Sequence, residues 1–320
     1  MTLSRRAWIM GAAGSLMAPR LSRAAPIVVK VGDQGGQLRA LMQASKALEG
    51  ADYDVQWIEF AAAQPLLEAM RAEALDLGLA GDAPFSFAIA AGAGIKAILG
   101  LARDLPQGGD DRSGGLSIMA PNSSAITAVE DLRGRKVATT RGSIGHFIAL
   151  TALRAHGIRF EEVDFSFLSP LDARSALSGG FIDAWAVWDP YVALLEVEGG
   201  CRPLFNGRQL ANSYSFLCAT DLAIARKRPA LADFYGRFLA SLEWQGTHQE
   251  EGAGILSGQT GFSLAVSRRV VSRSFRTPVP LGKAVEDGLA TIASLYGEAK
   301  LLPRGSGDIA GALDGSFYRK

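Results

Sequence analysis

The sequence GFIDAWAVWDPY at residues 180–191 decides the fold class of this chain. The run from Ile182 to Trp188 is apolar apart from one aspartate, as expected for a short strand that is covered on both faces. Asp189 can cap a following helix by accepting a hydrogen bond from a free backbone N–H of the first turn. Pro190 suits the first helical position, where a missing N–H costs nothing. The stretch therefore predicts a buried strand, a turn and a helix.

A second copy of this pattern lies earlier in the chain. The sequence LDLGLAGDAP at residues 75–84 also runs from an aspartate through an apolar strand to an aspartate and a proline. Asp76 and Asp82 are 6 positions apart, as are Asp183 and Asp189. Such an internal repeat indicates a duplicated structural unit.

The similarity extends upstream of both copies. Each copy reads strand, glycine loop, helix, strand, helix, strand, Asp-Pro turn and helix. The upstream strands are predicted at 27–31 and 53–60 in the first copy and at 136–139 and 163–168 in the second, and the helices at 37–48, 64–70, 144–156 and 170–177. Alternating strands and helices predict parallel sheets with helices on their faces. The predicted fold class is therefore α/β, with two lobes that face each other.

Two further strands, at residues 116–120 and 214–219, are predicted to cross between the lobes. They make the first lobe discontinuous in sequence. The predicted division assigns residues 26–116 and 217–320 to lobe one and residues 117–216 to lobe two. Paired crossing strands are natural hinges for domain closure.

Residues 1–25 carry the features of an export signal. Arg5 and Arg6 form a twin-arginine pair, an apolar stretch follows at 8–18, and the small residues Ala24 and Ala25 suit cleavage. The stretch is shorter than the about 20 apolar residues that a membrane span needs. A disordered or amphipathic start is the alternative. Cleavage removes four arginines and no acid, which changes the formal net charge from +1 to −3.

Composition and motifs exclude several classes of function. A net charge of +1 leaves no electrostatic footprint for nucleic acid. The sequence holds no nucleophile elbow, phosphate-binding loop, metal-spaced histidine pair or dinucleotide fingerprint, so it predicts no catalytic residues, cofactor or metal site. Cys201 and Cys218 form no zinc or redox motif. They can be two buried small side chains or, in an exported protein, a disulfide.

A ligand-binding cleft is predicted between the lobes, because ligands of parallel α/β sheets bind beyond the carboxyl ends of the strands. Those ends are the glycine loops and the Asp-Pro turns. Ser143 is a good N-cap that leaves the N–H groups of Ile144, Gly145 and His146 open to an anion at the helix N-terminus. The His146 side chain can add a donor, and a core or surface histidine fits the pattern equally well. An ordinary capped helix is the alternative for this loop.

These residues resemble the periplasmic solute-binding proteins of ABC importers, in the group that binds aliphatic sulfonates, taurine and nitrate. The resemblance rests on GDAP at 81–84, on Gly142-Ser143 followed by His146, and on DAW at 183–185 with WDPY at 188–191. It implies the two-lobed type II periplasmic binding protein fold. It further implies a monomeric, non-enzymatic periplasmic protein that captures a small anionic solute. The implied solute is an alkanesulfonate or a related sulfur compound, which is delivered to the membrane permease of an ABC importer.

The resemblance also implies which residues bind the ligand. They are Gln34, Asp82, Ser143, Gly145, His146, Trp188, Asp189 and Tyr214. Sulfonate binders often carry a lysine in the first glycine loop, and related desulfinases carry a cysteine there. Residues 32–36 contain neither. An enzyme on the same scaffold, either desulfinase-like or a hydrolase, and a protein that binds nitrate or another anion are the alternatives.

Overall fold

The computed structural model describes residues 26–103, 114–210, 213–274, 276–302 and 308–317. The predicted export signal at 1–25 lies outside the described residues. The strands are β1 (Ile27–Gln34), β2 (Tyr53–Phe60), β3 (Leu77–Gly81), β4 (Ile95–Arg103), β5 (Leu116–Pro121), β6 (Lys136–Thr139), β7 (Asp164–Phe167), β8 (Ala184–Trp188), β9 (Cys201–Asn206), β10 (Tyr214–Thr220) and β11 (Arg276–Val279). The helices are α1 (Gln37–Ala44), α2 (Ala63–Arg71), α3 (Asp82–Ala90), α4 (Ile144–Ala155), α5 (Pro170–Ser178), α6 (Tyr191–Glu198), α7 (Asp221–Thr247), α8 (Gln249–Thr260), α9 (Leu264–Val271) and α10 (Lys283–Glu298).

The described strands form two separate sheets. The first has the order β11-β4-β10-β3-β1-β2 and the second the order β7-β6-β8-β5-β9. Within each repeat the strands run parallel, β1 with β2 and β3 in the first sheet and β6 with β7 and β8 in the second. β10 lies antiparallel between β3 and β4, and β5 lies antiparallel between β8 and β9. The predicted two-lobed α/β fold is confirmed, with antiparallel crossing strands added to parallel cores.

The first aspartate of each repeat is a backbone clamp. Asp76 accepts a hydrogen bond from the backbone N–H of Lys30 at 2.7 Å, and Asp183 accepts one from the backbone N–H of Lys136 at 2.8 Å. Each aspartate directly precedes the third strand of its repeat and ties it to the first strand. The sequence repeat is therefore also a structural repeat.

The second aspartate of each repeat lies where a strand passes into a helix, but the helix starts differ from the predicted pattern. α6 begins at Tyr191, so the prediction that Pro190 occupies its first position is wrong. Asp189 still caps this helix, because its Oδ1 accepts a hydrogen bond from the backbone N–H of Ala193 at 3.0 Å. In the first repeat the helix begins at Asp82 itself.

The chain passes twice between the sheets. β4 and β10 belong to the first sheet and β5 and β9 to the second, so the connections are residues 104–115 and 207–213. The boundaries predicted after residues 116 and 216 fall inside β5 and β10. The change of sheet thus precedes each crossing strand, because the strand pairs along its whole length within its new sheet.

The C-terminal helices pack against both lobes. α8 and α9 share an apolar cluster with α1 of the first lobe and α6 of the second, through residues such as Ala40, Ala193 and Val270. α10 packs against α4 of the second lobe, where Tyr296 and Leu150 belong to one cluster. Within the described ranges, no helix combines the length and the apolar character that a membrane crossing requires.

Candidate ligand-binding site

A cavity of about 180 Å³ lies between the two sheets, at the carboxyl ends of their parallel strands. The first lobe, the second lobe, the crossing strands and the C-terminal segment all contribute to its wall. Its polar, charged and helix-terminal lining residues include Asp33, Gln34, Gln64, Asp82, Arg103, Ser143, Ile144, Trp188, Asp189, Tyr214, Arg273 and Arg276. Among the described lining residues there is no cysteine and no histidine.

The first glycine loop is held by its own side chains. Asp33 accepts hydrogen bonds from the backbone N–H groups of Leu38 and Arg39, both at 3.0 Å, and so caps α1. Gln34 donates its amide N–H to the backbone carbonyl of Leu79 at 2.6 Å. Burial raises the pKa of the Asp33 carboxyl. Gln34 therefore lines the cavity in a fixed orientation, as part of the link between β1 and β3.

Gln64 presents an unpaired amide at the cavity. Its Nε2 and Oε1 atoms are both buried, and neither has a hydrogen-bond partner among the described residues. A buried polar group without a partner costs about 1–3 kcal/mol. A ligand that supplies both an acceptor and a donor, or an acceptor alone, would recover part of that free energy. Sequence analysis missed Gln64, although it follows the carboxyl end of β2, where the fold places its ligand contacts.

Asp82 joins the start of α3 to the crossing strand β10. Its side chain is 2% exposed and accepts hydrogen bonds from the backbone N–H groups of Tyr214 at 2.7 Å and Ala83 at 2.8 Å. Burial raises the pKa of the Asp82 carboxyl to about 6, although these hydrogen bonds and the guanidinium of Arg103 act in the opposite direction. Asp82 and Tyr214 both line the cavity, and their contact with a ligand stays a prediction.

The N-terminus of α4 contributes the second lobe's polar wall. The Ser143 hydroxyl accepts a hydrogen bond from the backbone N–H of His146 at 3.1 Å, so the predicted N-cap is confirmed. The Tyr296 hydroxyl of α10 donates to the backbone carbonyl of Ser143 at 3.0 Å. Ser143 and Ile144 line the cavity, which places the positive end of this helix dipole against any bound group.

The structure places neither Gly145 nor His146 in the cavity. The His146 side chain is 1% exposed, and its ring lies 5.2 and 5.1 Å from those of Phe165 and Phe167. Its Nδ1 accepts a hydrogen bond from the backbone N–H of Gly142 at 3.2 Å, and burial lowers the pKa of the imidazole to about 3. His146 is a neutral core residue rather than the predicted anion donor.

The need for a glycine at position 145 comes from packing and not from a ligand contact. A Cβ at this position would lie 2.4 Å from the backbone oxygen of Ala186 and 2.9 Å from the hydroxyl of Thr139. The glycine therefore allows α4 to approach β8 closely, which brings Ser143 to the cavity.

Asp189 is neutralised by an arginine from a distant segment. Arg273, in the connection between α9 and β11, donates from Nε and Nη2 to the two carboxylate oxygens of Asp189, both at 2.7 Å. Its Nη1 donates to Glu196 at 2.9 Å, and the side chain is 1% exposed. Asp189 lines the cavity beside Trp188, but its carboxylate is already engaged and acts as a positioning group.

Two arginines add positive charge to the cavity wall. Arg276 of β11 lies directly opposite Arg103 of β4 in an antiparallel pair. Residues opposite each other in such a pair project from the same face of the sheet. Both side chains line the cavity. The sequence signal for this pair is weak because 173 positions separate the two residues.

Comparison with known proteins agrees with the two-lobed fold. A family model described as "ABC transporter, phosphonate, periplasmic substrate-binding protein" matches residues 45–199. A putative aliphatic sulfonates-binding protein of Escherichia coli K12 is 29% identical over 287 residues, which cover 88% of each chain. The solved periplasmic aliphatic sulphonate binding protein SsuA from Escherichia coli is 30% identical, covers 90% of this chain and 97% of its own, and superposes with a TM-score of 0.76.

The chain belongs to the periplasmic substrate-binding proteins of ABC transporters. A further solved structure, the alkanesulfonate-binding protein SsuA from Xanthomonas axonopodis pv. citri bound to MOPS, is 28% identical. It superposes with a TM-score of 0.81 over 91% of this chain and 99% of its own. As a periplasmic substrate-binding protein, this chain binds a solute and presents it to a membrane permease, and it is not an enzyme.

The two cysteines play no part in the site of this substrate-binding protein. Cys201 lies in β9 and Cys218 in β10, in different sheets, and both are free thiols. Burial raises the pKa of both thiols. Among the described residues, no cluster of three or more His, Cys, Asp or Glu side chains is suited to a metal ion.

Proposed function

We propose that this periplasmic protein binds an organosulfonate anion in the cavity between its lobes and delivers it to the permease of an ABC importer. The observation that carries the proposal is the donor set around one cavity. It combines the guanidinium groups of Arg103 and Arg276, the N-terminus of α4 and the unpaired amide of Gln64. The names of the relatives support the same class of ligand, since they are described as binding aliphatic sulfonates or alkanesulfonate.

The chemistry of a sulfonate fits this donor set. The group carries one negative charge over three acceptor oxygens, so it needs donors from several directions. Hydrogen bonds that involve a charged partner contribute about 1.5–3 kcal/mol each. Arginine, amide and helix N-terminus donors approach the cavity from different elements, namely β4, β11, α2 and α4.

The acidic residues of the wall are engaged by other groups of the protein. Asp33 caps α1, Asp189 is paired with Arg273, and the raised pKa of Asp82 reduces its charge near pH 6. Arg103 and Arg276 add guanidinium donors to the wall that faces the ligand. Gln34, Ser143, Trp188 and Tyr214 complete the proposed wall.

We also propose an export route, an oligomeric state and a closing motion for this protein. Residues 1–25 act as a twin-arginine export signal, and the mature chain works as a monomer. The lobes built on the two sheets close about the strands at 116–120 and 214–219. Closure of this kind encloses a ligand and expels water from its donors.

A titration of the mature protein, residues 26–320, tests the proposal. We expect butanesulfonate to bind at one site and to raise the free energy of unfolding by about 2.7 kcal/mol at a hundredfold excess over the dissociation constant. Nitrate and inorganic sulfate should bind more weakly, and the sulfonate should be recovered unchanged. Absence of sulfonate binding, or conversion of the sulfonate to another compound, would contradict the proposal.

A further inference from the structure

A second, apolar pocket adjoins the candidate cavity inside the first lobe. Its volume is about 120 Å³. The two spaces share six lining residues, which are Gln37, Leu38, Leu79, Ser215, Ser274 and Arg276. The second space, here called the tail pocket, therefore lies next to the ligand site across a wall that both spaces share.

The chemistry of the tail pocket differs from that of the cavity. Most of its wall is aliphatic or aromatic and comes from α1, β3, β4, α7, α8 and α9. These residues are Leu38, Ala40, Leu41, Leu79, Leu101, Phe238, Leu242, Leu256, Val270 and Val271. Arg276 is its only charged residue among those described, and it belongs to the wall shared with the cavity. The deeper part is therefore suited to an apolar group.

The wall is preformed by packing. Phe238 and Leu101 belong to the main core cluster of the first lobe, and Val270 and Leu256 belong to the cluster that joins α8 and α9 to α1 and α6. A dry apolar cavity of about 150 Å³ is known to hold benzene. Benzene has six carbon atoms, so by the ratio of the two volumes the tail pocket has room for roughly five carbon atoms.

We propose that the tail pocket binds the alkyl or aryl tail of the ligand, and that this protein selects sulfonates with an apolar tail of roughly five carbons. The inference rests on the proposed function, since the cavity must hold the sulfonate head. Arg276 marks the junction, with the charged head on one side of it and the apolar tail beyond. A tail that ends in an ammonium group is disfavoured, because the described residues of the deep wall are mostly apolar and include no carboxylate to pair with that charge.

A series of ligands tests the selectivity directly. Calorimetric titrations of methane-, propane-, pentane- and heptanesulfonate should show a dissociation constant that falls about fourfold per added methylene, equivalent to about 0.8 kcal/mol. The gain should level off once the tail pocket is filled. 4-Aminobutanesulfonate should bind at least tenfold more weakly than pentanesulfonate. Equal affinity across the series overturns this inference alone, whereas failure of every sulfonate to bind also overturns the proposed function.

A substitution inside the tail pocket tests its location. Gly252 of α8 lines the tail pocket but not the cavity, and a Cβ there meets only a ring carbon of Trp244 at 3.8 Å. Gly252→Leu should weaken pentanesulfonate binding at least tenfold and leave methanesulfonate binding unchanged. Gly254→Leu on the same helix is the control, because Gly254 is exposed and lines neither space.

A second variant keeps the test independent of any folding defect in Gly252→Leu. Leu242 also lines the tail pocket but not the cavity. Leu242→Ala should enlarge the pocket and shift the tightest-binding member of the series to a longer chain. Unchanged affinity for pentanesulfonate in a folded Gly252→Leu protein, or an unchanged length optimum in Leu242→Ala, would show that the tail lies elsewhere, such as against Trp188.

Discussion

At the scale of single residues, Gln64 is the side chain that is expected to gain its hydrogen-bond partner from the ligand. Its amide is buried without a partner among the described residues. Gln64→Leu should therefore leave the free energy of unfolding of the unliganded protein equal or higher, since an unpaired buried group costs about 1–3 kcal/mol. The same change should weaken butanesulfonate binding at least tenfold, about 1.4 kcal/mol.

The matched control is Gln56→Leu, on the exposed side of β2. Urea denaturation and calorimetric titration of both variants measure the two quantities separately. Parental affinity in Gln64→Leu would mean that the amide does not contact the anion.

The raised pKa of Asp82 predicts a pH dependence of binding. Burial brings this carboxyl to a pKa of about 6, whereas a sulfonate stays ionised throughout the neutral and mildly acidic range. As the pH falls from 7.5 to 5, Asp82 loses its negative charge, so anion affinity should rise roughly tenfold. The buried His146 cannot produce this change, because its pKa of about 3 lies below the window.

Titrations at several pH values measure this effect, with Asp82→Asn as the variant that should bind with little pH dependence. The same raised pKa makes the folded protein bind a proton that the unfolded chain has lost. The Asp82 contribution to stability should therefore decrease as the pH rises from about 4 to about 6. A parental affinity that is constant from pH 7.5 to 5 would contradict the proposed proximity of Asp82 to the anion.

At the scale of elements, the repeat made most of the fold predictable. Asp76 and Asp183 occupy equivalent clamps, and the apolar runs between the paired aspartates form the central strands β3 and β8. These features are local in sequence, since strand periodicity and helix caps extend over only a few residues. The N-cap at Ser143 was predictable for the same reason.

The binding site was less predictable because much of it depends on tertiary contacts. Arg103 and Arg276 become neighbours only when β11 pairs with β4. The direction of the His146 ring is set by the aromatic side chains of β7, which no local pattern encodes. Six predicted residues do reach the cavity, because each lies near a strand end or in a crossing segment. They are Gln34, Asp82, Ser143, Trp188, Asp189 and Tyr214.

The connection after α9 is fixed to α6 by one buried arginine, and this contact is testable. Arg273→Met removes a cation that pairs with both Asp189 and Glu196, and so leaves carboxylates in a largely buried site. Breaking a buried pair in this way costs about 3–5 kcal/mol. Arg268→Met is the control, because its pair with Glu250 is exposed and contributes little. Urea denaturation that shows equal stability for Arg273→Met and the parent would contradict the structural role of this pair.

At the scale of the whole molecule, the two lobes are joined by more than the crossing connections. α8 and α9 contact α1 and α6, and α10 contacts α3 and α4. The cavity and the tail pocket both border the α9–β11 connection, through Ser274 and Arg276. The C-terminal segment is thus the part of the chain that touches both lobes and both ligand spaces.

The proposed export route depends on the arginine pair in residues 1–25. Changing Arg5 and Arg6 together to lysine should leave the precursor in the cytoplasm, because the twin-arginine route reads this pair. Changing Arg20 and Arg23 to lysine keeps the same charge and should allow export. Cell fractionation measures both outcomes, and efficient export of the first variant would mean that another route is used.

The most direct test of the central claim is a crystal structure of the mature protein with pentanesulfonate, in which anomalous scattering locates the sulfur atom. The structure predicts that the sulfur lies in the cavity, with the sulfonate oxygens within hydrogen-bonding distance of the Gln64 amide and the Arg103 guanidinium. It also predicts that the alkyl chain runs past Arg276 into the tail pocket. A sulfur position outside this cavity, or no bound sulfonate at saturating concentration, would contradict the account.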